Sequence, residues 1–206
     1  MRFLLSVVTT LFIVVDPIAL APVFISLTST MTPAQRNRVA WRSVAVAAAI
    51  MVTFAIVGHP LLQVLGISLN AFYIAGGILL FLIAIDMLFA RPSRTRETPE
   101  EAEEGRLAAD VSVFPLAIPI MSGPGSMATI VLFMSEAGSD WLKIGSVGIA
   151  LLIALVSSLA IMLLSTQVMK VLRTTGVAVI GRVMGVILAA FAAQFVINGV
   201  TSVLHH

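Results

Sequence analysis

The stretch FLLSVVTTLFIVVDPIALAPVFISL, residues 3–27, is an apolar run long enough to cross a membrane, and Asp16-Pro17 lies near its middle. A second run, VSVFPLAIPIMSGPGSMATIVLFM at residues 111–134, carries Gly123-Pro124 near its middle. Proline suits the first position of a helix, and Asp or Gly suits the position before it. Each dipeptide therefore predicts a helix that breaks at mid-membrane and begins again, so that the positive ends of two half-helices face a central cavity.

Composition determines the class of protein. Hydrophobic residues make up 59% of the 206 residues, charged residues make up 11%, and the mean hydropathy is +1.09. In a soluble domain the charged fraction is about a quarter. The chain is therefore predicted to be an all-α polytopic protein of the lipid bilayer. Because it contains no cysteine, disulfides, thiol catalysis and cysteine-ligated metals are excluded.

Six apolar stretches are long enough to cross a hydrocarbon layer about 30 Å thick as helices. They are residues 3–27, 41–57, 69–90, 111–134, 144–168 and 177–203. The second is ambiguous, because Gly58-His59-Pro60 either ends it or begins a short re-entrant turn over residues 61–65. We expect the first span to be retained and not cleaved as a secretory signal, since Asp16-Pro17 interrupts the apolar core that a signal needs.

The basic residues predict the orientation of the chain. Every Lys and Arg except Arg2 and Lys143 lies in or beside the first, third or fifth connection between spans. By the positive-inside rule these connections are cytoplasmic. Both termini are therefore expected outside the cytoplasm.

The two halves of the chain resemble each other. The polar segment 91–110 separates three spans from three and is predicted to be a cytoplasmic linker. At one constant shift, Asp16-Pro17 aligns with Gly123-Pro124, and Val64-Leu65 aligns with Val171-Leu172. Because each half has an odd number of spans, the second copy enters the membrane from the opposite side. We expect a 3+3 inverted repeat, with one three-helix repeat at 1–90 and the other at 111–206, and with spans 1 and 4 broken.

Three motifs resemble those of the MarC family of bacterial inner-membrane proteins. They are residues 16–24 (DPIALAPVF), residues 115–129 (PLAIPIMSGPGSMAT) and the end of a Gly-rich sixth span at 194–199 (QFVING). The resemblance extends over essentially the whole chain. It implies six spans in the bacterial inner membrane, membership of the wider LysE-type transporter superfamily, and transport of small neutral amino acids such as alanine and glycine. The family name refers to antibiotic resistance, but drug efflux is only a weak inference from that name.

The candidate substrate site lies between the two breaks and comprises Asp16, Pro17, Gly123, Pro124, Gly125 and Ser126. Amide groups at the positive ends of half-helices bind a carboxylate without an arginine. The ammonium of a small zwitterion, such as alanine, glycine or serine, would bind Asp16 or carbonyls left open at the breaks. The small residues leave little room for a substrate side chain, and alternating access around this site is the expected mechanism.

Asp16 is the main candidate for a functional carboxylate. A charged side chain at mid-membrane costs at least about 3 kcal/mol unless it is paired, protonated or hydrated. If transport is coupled to protons or sodium, Asp16 is the expected carrier. The alternative is a structural role, since an Asp before a helix start commonly caps it.

Two further pairs of polar residues lie in the spans, away from the two breaks. Asp86 and Arg182 lie at similar depths near the cytoplasmic ends of the third and sixth spans, so we expect an ion pair that closes this end. The alternative is that each extends separately to the lipid head groups. Gln194 and Asn198 share a face of the sixth span and either bond across helices or line the pathway.

The sequence argues against an enzyme. Asp16 and Asp86 lie on different helices at different depths, which disfavours an aspartyl dyad. No histidine lies in the spans to activate a serine beside Gly123. No cofactor, metal site or nucleic-acid partner is expected: His59 is interpreted as a solvated loop residue, and His205-His206 resemble the remains of an affinity tag. An exporter of other small solutes or drugs, a channel, a structural membrane protein and a homo-oligomer stay open.

Overall fold

The computed structural model describes residues 2–89 and 110–204, and within these ranges it contains helices and no strands. The helices are α1 Arg2–Val15, α2 Leu20–Leu27, α3 Pro33–Val64, α4 Leu69–Leu88, α5 Ser112–Met121, α6 Pro124–Ala137, α7 Trp141–Leu163 and α8 Ser165–Leu204. The predicted all-α fold is confirmed. Apart from Asp110, the predicted linker lies outside the described residues, as do His205 and His206.

The helices account for the predicted membrane spans. Five stretches in the described ranges are long and apolar enough to cross a membrane, namely residues 2–27, which hold α1 and α2, together with α3, α4, α7 and α8. The pair α5 and α6, bent by 54° between its two helices, is a sixth if the two are counted as one broken span. The 3+3 inverted repeat stays a prediction.

Polar side chains in the connections begin several of these helices. At α3, Thr32 accepts from the amide of Gln35, while the Gln35 side chain accepts from the Thr32 amide at 2.8 Å. At α7, the Asp140 carboxylate accepts from the amide of Leu142 at 2.9 Å. Such caps satisfy amides that have no intrahelical acceptor, so the helix starts follow from local sequence.

The second span neither ends nor turns back at Gly58-His59-Pro60, because α3 continues through these residues to Val64. Pro60 removes one helical hydrogen bond, and this local loss of stability was the reason for predicting a break. Packing compensates for it. A Cβ at Gly58 would collide with the side chain of Val131, so α3 lies in close contact with α6 at this level. Both alternatives for residues 58–65 were therefore wrong.

The helices α4 and α8 lie antiparallel and pack closely through glycines of α8. A Cβ at Gly185 would lie 3.0 Å from the carbonyl oxygen of Ala84 and 3.1 Å from the amide nitrogen of Leu88. A Cβ at Gly199, near the other end of α8, would lie 2.9 Å from the carbonyl oxygen of Asn70. Glycine thus allows the two backbones to approach along much of their length.

The bundle has two ends, which we call the Arg2 face and the Arg42 face. At the Arg2 face α1 begins beside the start of α7, and Lys143 Nζ lies 5.4 Å from the centre of the Phe3 ring. At the Arg42 face, Arg42 Nη1 lies 2.6 Å from Asp110 Oδ2. Hydrogen bonds from Ser112 and the charge of Arg42 hold the pKa of Asp110 below its usual range. Successive spans alternate between these faces, as predicted.

The outside of the bundle is apolar between two exposed tryptophans. Trp41 lies near the start of α3 at the Arg42 face, and Trp141 lies at the start of α7 at the Arg2 face; they are 62% and 83% exposed. Tryptophan favours the interface between hydrocarbon and water. Large aliphatic side chains such as Leu152 and Val156 are exposed between these levels on α7. This pattern is that of a helix bundle surrounded by lipid.

Candidate functional site

The first break lies where α1 ends and α2 has not yet begun. Asp16 adopts a left-handed backbone conformation, with φ of 51°, and its amide donates to the carbonyl of Phe12 at 3.0 Å. Its carboxylate oxygen Oδ1 accepts from the amide of Ala19 at 3.4 Å. Asp16 is only 6% exposed. It therefore caps the turn that leads into α2, as the structural alternative expected.

The first break is rich in hydrogen-bond acceptors. Because Pro17 has no N–H group, the carbonyl of Ile13 has no intrahelical donor. This carbonyl lies at the negative end of the α1 dipole, three residues before Asp16 in the chain. The prediction that both breaks present positive helix ends needs correction here. The first two amides of α2, those of Leu20 and Ala21, donate to the carbonyls of Pro17 and Ile18 at 3.2 Å, so they are not open to a ligand. The group that this break suits is a cation.

The second break, in the segment before Pro124, is longer than predicted from the sequence. In α5 the backbone leaves helical geometry at Phe114, with φ −125° and ψ 124°, and at Ile118, with φ −123° and ψ 126°. Each of these residues precedes a proline, and the proline ring disfavours the helical conformation of the residue before it. The signal was present in Pro115 and Pro119, four residues apart, but it was interpreted only as part of a family motif.

Beyond this irregular segment, α6 begins at Pro124 as predicted. The residue before it, Gly123, has no side chain to cap the helix, and a Cβ there would collide with the carbonyl oxygen of Pro119. The amides of Gly125 and Ser126 lie in the first turn and have no intrahelical acceptor. This break therefore presents hydrogen-bond donors at the positive end of a helix dipole, which suits an anion.

Two serines hold the second break in place. The Ser122 hydroxyl donates to the carbonyl of Ala117 at 2.7 Å, and the Ser126 hydroxyl donates to that of Met121 at 2.9 Å. Both serines are buried. Ser126 therefore uses its hydroxyl proton to satisfy a carbonyl in the unwound part of the span, and it has only acceptor capacity left for a ligand.

The two breaks lie side by side in the core. A Cβ at Gly125 would lie 3.3 Å from Val14 Cγ1 and would collide with the side chain of Ile83. Since α1 and α6 are antiparallel, the acceptor-rich end of α1 meets the donor-rich end of α6. Of the predicted site residues, Pro124 is exposed, and the structure buries the others, which are Asp16, Pro17, Gly123, Gly125 and Ser126.

The ion pair predicted between Asp86 and Arg182 stays a prediction, whereas the structure does show an ion pair between Arg42 and Asp110 at the Arg42 face. Helices α4 and α8 do meet at this depth, but Arg182 is exposed and Asp86 is half-buried. A long side chain on the outside of a bundle extends towards the head groups. At the Arg42 face the described polar contacts are made by Arg42 and by Arg36, whose Nη2 donates to Ser165 Oγ at 3.4 Å.

Gln194 and Asn198 neither bond across helices nor line the site. The Gln194 Nε2 group donates to Asn198 Oδ1 at 2.7 Å along the same helix, and both residues are exposed. Sequence spacing correctly placed them on one face of α8. It did not determine which face packs against α4.

A polar cluster at the Arg2 face was missed. His59 Nδ1 lies 3.0 Å from Ser135 Oγ, and His59 Nε2 lies 3.0 Å from Gln63 Nε2. On the next helix, Tyr73 donates to Glu136 Oε2 at 3.2 Å. His59 is thus a helical residue bonded to α6 and not a solvated loop residue. Its four-residue spacing from Gln63 is typical of two side chains on one helix face. The break expected at Pro60 prevented this interpretation.

Comparison with known proteins supports the membrane assignment. Residues 1–204 match the family model described as "MarC family integral membrane protein". The chain is 32% identical to the UPF0056 membrane protein YhcE of Escherichia coli, with 94% of this chain and 89% of that protein covered. It is 34% identical to the UPF0056 membrane protein YvbG of Bacillus subtilis, with coverage of 94% and 92%. A UPF0056 membrane protein of Archaeoglobus fulgidus is 31% identical, with coverage of 99% and 95%. No solved structure matches the chain.

Proposed function

Because the chain belongs to the MarC family of integral membrane proteins, we propose that it transports small neutral amino acids across the bacterial inner membrane. The observation that carries the proposal is the meeting of the acceptor-rich end of α1 with the donor-rich end of α6 inside the core. A free amino acid is a zwitterion, and these two ends are complementary to its two charges.

Each charge of the substrate has a partner at the site. The carboxylate binds the first-turn amides of Gly125 and Ser126, where the dipole of α6 favours an anion. The ammonium binds the Asp16 carboxylate and the carbonyl of Ile13 at the end of α1. Binding both charges in a low-dielectric core replaces the hydration that the zwitterion loses. No arginine is required.

The packing around Gly125 limits substrate size. The position of a Cβ at this residue is already filled by Ile83 and Val14, and Leu80 Cδ2 lies 3.7 Å from it. A ligand beside Gly125 therefore meets aliphatic side chains on two helices. This environment favours glycine, alanine and serine over amino acids with long or charged side chains.

Alternating access requires that each face of the bundle opens in turn around the site. At the Arg2 face, the His59–Ser135 and Tyr73–Glu136 hydrogen bonds hold α6 against α3 and α4. At the Arg42 face, contacts of Arg42 and Arg36 hold α3 against the start of α5 and α8. We assign these two sets of contacts to the two gates. By the positive-inside rule, we propose that the basic Arg42 face is the cytoplasmic one.

The test is uptake of labelled alanine, glycine and serine into proteoliposomes, with proton and sodium gradients imposed separately. Saturable uptake driven by one gradient is the expected result, and it would also identify the coupling ion. Absence of uptake of all three amino acids under every gradient, by protein shown to be folded, would contradict the proposal.

Two matched variants distinguish the effect of the negative charge of Asp16 from the effect of its capping hydrogen bond. Asn caps a helix about as well as Asp does, so Asp16→Asn keeps the turn into α2 and removes only the negative charge. Asp140 also caps a helix but is exposed at the Arg2 face. We expect Asp16→Asn to lower uptake at least tenfold and Asp140→Asn to leave it unchanged. Equal, normally coupled uptake by both variants would remove Asp16 from the site.

A further inference from the structure

Thr10 is buried without a hydrogen bond. Its side chain is 0% exposed, and Oγ1 is the one buried side-chain nitrogen or oxygen without a partner in residues 2–89 and 110–204. Several other buried hydroxyls donate to the carbonyl four residues earlier, at 2.7–2.9 Å, as those of Thr28, Ser43, Thr129 and Ser158 do. Thr10 does not make the same bond to Ser6. Its hydroxyl is therefore held away from the one partner that its own helix offers.

The hydroxyl lies on the side of α1 that faces α6. At about 100° per residue, Phe3, Thr10 and Val14 fall within about 40° of one another around α1. The Phe3 ring packs against the Phe133 ring with centroids 5.9 Å apart, and Val14 lies against Gly125. Thr10 lies between these two contacts with α6.

The opposing surface of α6 also carries a buried hydroxyl. On α6, Gly125 and Phe133 both contact α1, and Thr129 lies midway between them at the same four-residue spacing. Thr129 is 0% exposed and donates to the carbonyl of Gly125. Thr10 and Thr129 thus place two hydroxyls at the same height in an otherwise apolar interface, about one and a half helical turns from the breaks.

An unsatisfied hydroxyl in this position needs an explanation. A buried donor without a partner is unfavourable, because it loses its hydrogen bonds to water and gains none in the protein. Valine has the same shape without the hydroxyl, and α1 uses valine at the neighbouring core positions 7, 14 and 15. A threonine whose hydroxyl avoids its own helix is therefore suited to a partner that this structure does not contain.

Resting on the proposed function, we propose that the Thr10 hydroxyl binds the side-chain hydroxyl of a transported serine and makes the protein prefer serine to alanine. With its charged groups held at the ends of α1 and α6, a substrate has its side chain left to contact the α1–α6 interface. Serine then supplies the hydrogen bond that Thr10 lacks. Alanine leaves the hydroxyl unsatisfied, which is the basis of discrimination between such analogues.

The experiment measures initial rates of serine and alanine uptake into proteoliposomes for the wild type, Thr10→Val, Thr10→Ser and Thr28→Val. Thr10→Val is expected to lower the serine-to-alanine ratio about tenfold while alanine uptake persists, because only one hydrogen bond is lost. Thr10→Ser keeps the hydroxyl and should keep the ratio. Thr28→Val is the matched control, since it removes a buried hydroxyl that is bonded within its own helix.

The outcomes separate this inference from the proposed function. Alanine uptake with an unchanged serine-to-alanine ratio in Thr10→Val would overturn the role of Thr10 and leave amino-acid transport standing. Failure of the wild type to take up any of the three amino acids would overturn both. If Thr10→Val reconstitutes poorly, unfolding temperatures in detergent provide the second test. Serine should raise the unfolding temperature of the wild type more than alanine does. Equal increases in unfolding temperature with the two amino acids would contradict the inference.

Discussion

Asp16 combines a structural and an electrostatic role. One carboxylate oxygen accepts from the Ala19 amide, which satisfies a donor at the start of α2. The carboxylate also adds negative charge at the end of α1, where Pro17 has already removed the donor for a carbonyl. The structural role of Asp16 is therefore compatible with the proposed binding of a substrate ammonium, because one carboxylate can serve both.

Thr10→Val should stabilise the ligand-free protein. The substitution keeps the volume of the side chain and removes a buried hydroxyl that has no partner. The expected gain is about 1 kcal/mol, which raises the unfolding temperature by about 2–4 °C for a chain of this length. Thermal unfolding in detergent without amino acid measures it. A lower unfolding temperature would show that the hydroxyl is satisfied in the ligand-free protein.

Gly123→Ala should disrupt the second break. A Cβ at this position collides with the carbonyl oxygen of Pro119, which is backbone and cannot rotate away. We expect a loss of about 2 kcal/mol or more in stability and loss of uptake. The matched control is Gly145→Ala on α7, where a Cβ meets nothing within 4 Å. Uptake and stability equal to those of the control would contradict the assigned geometry of the break.

The contact of α4 with α8 depends on glycine at particular turns of α8. Gly185 lies against the backbone of Ala84 and Leu88, whereas a Cβ at Gly181, one turn earlier, meets nothing within 4 Å. Gly185→Leu should therefore separate the helices and lower the unfolding temperature by several degrees. Gly181→Leu should have little effect. Similar unfolding temperatures for the two variants would show that the close approach of α4 and α8 is not required for stability.

The helix α6 is held differently along its length. Its first half begins at the break, and its second half is bonded to α3 through Ser135 and to α4 through Glu136. The Phe133 ring also packs against Phe3 and Phe195, with centroids 5.9 and 5.6 Å apart. A movement that opens the Arg2 face must break these contacts together, since one helix carries all of them.

The orientation of the whole bundle can be tested directly, because the chain has no cysteine. Ser139 is exposed at the Arg2 face, and Thr30 is exposed at the Arg42 face. A membrane-impermeant maleimide added to intact cells should label Ser139→Cys and should not label Thr30→Cys. The expectation follows from the basic residues at the Arg42 face. The opposite labelling pattern would invert the orientation and exchange the two proposed gates.

Local sequence was sufficient for the spans and for the position of both breaks. The length of an apolar run is read directly along the chain, and a proline has no amide wherever it lies. Asp16-Pro17 and Gly123-Pro124 therefore mark breaks before any tertiary contact is known. The predicted helix start is confirmed at Pro124, whereas α2 begins at Leu20 and not at Pro17. The rule that a proline breaks a helix failed at Pro60. There α3 continues beyond the proline, and Gly58 packs against Val131.

By itself, the sequence determined an all-α membrane protein with six apolar spans, two of them broken. Only the tertiary structure decided which charges meet at the breaks. Three features depend on which helix faces pack: the pairing of α1 with α6, the contact of His59 with Ser135 and the isolation of the Thr10 hydroxyl. The physical reason is that helix breaks and the lengths of apolar runs are set by neighbouring residues in the chain. The packing of two helix faces depends instead on residues that are far apart in the chain.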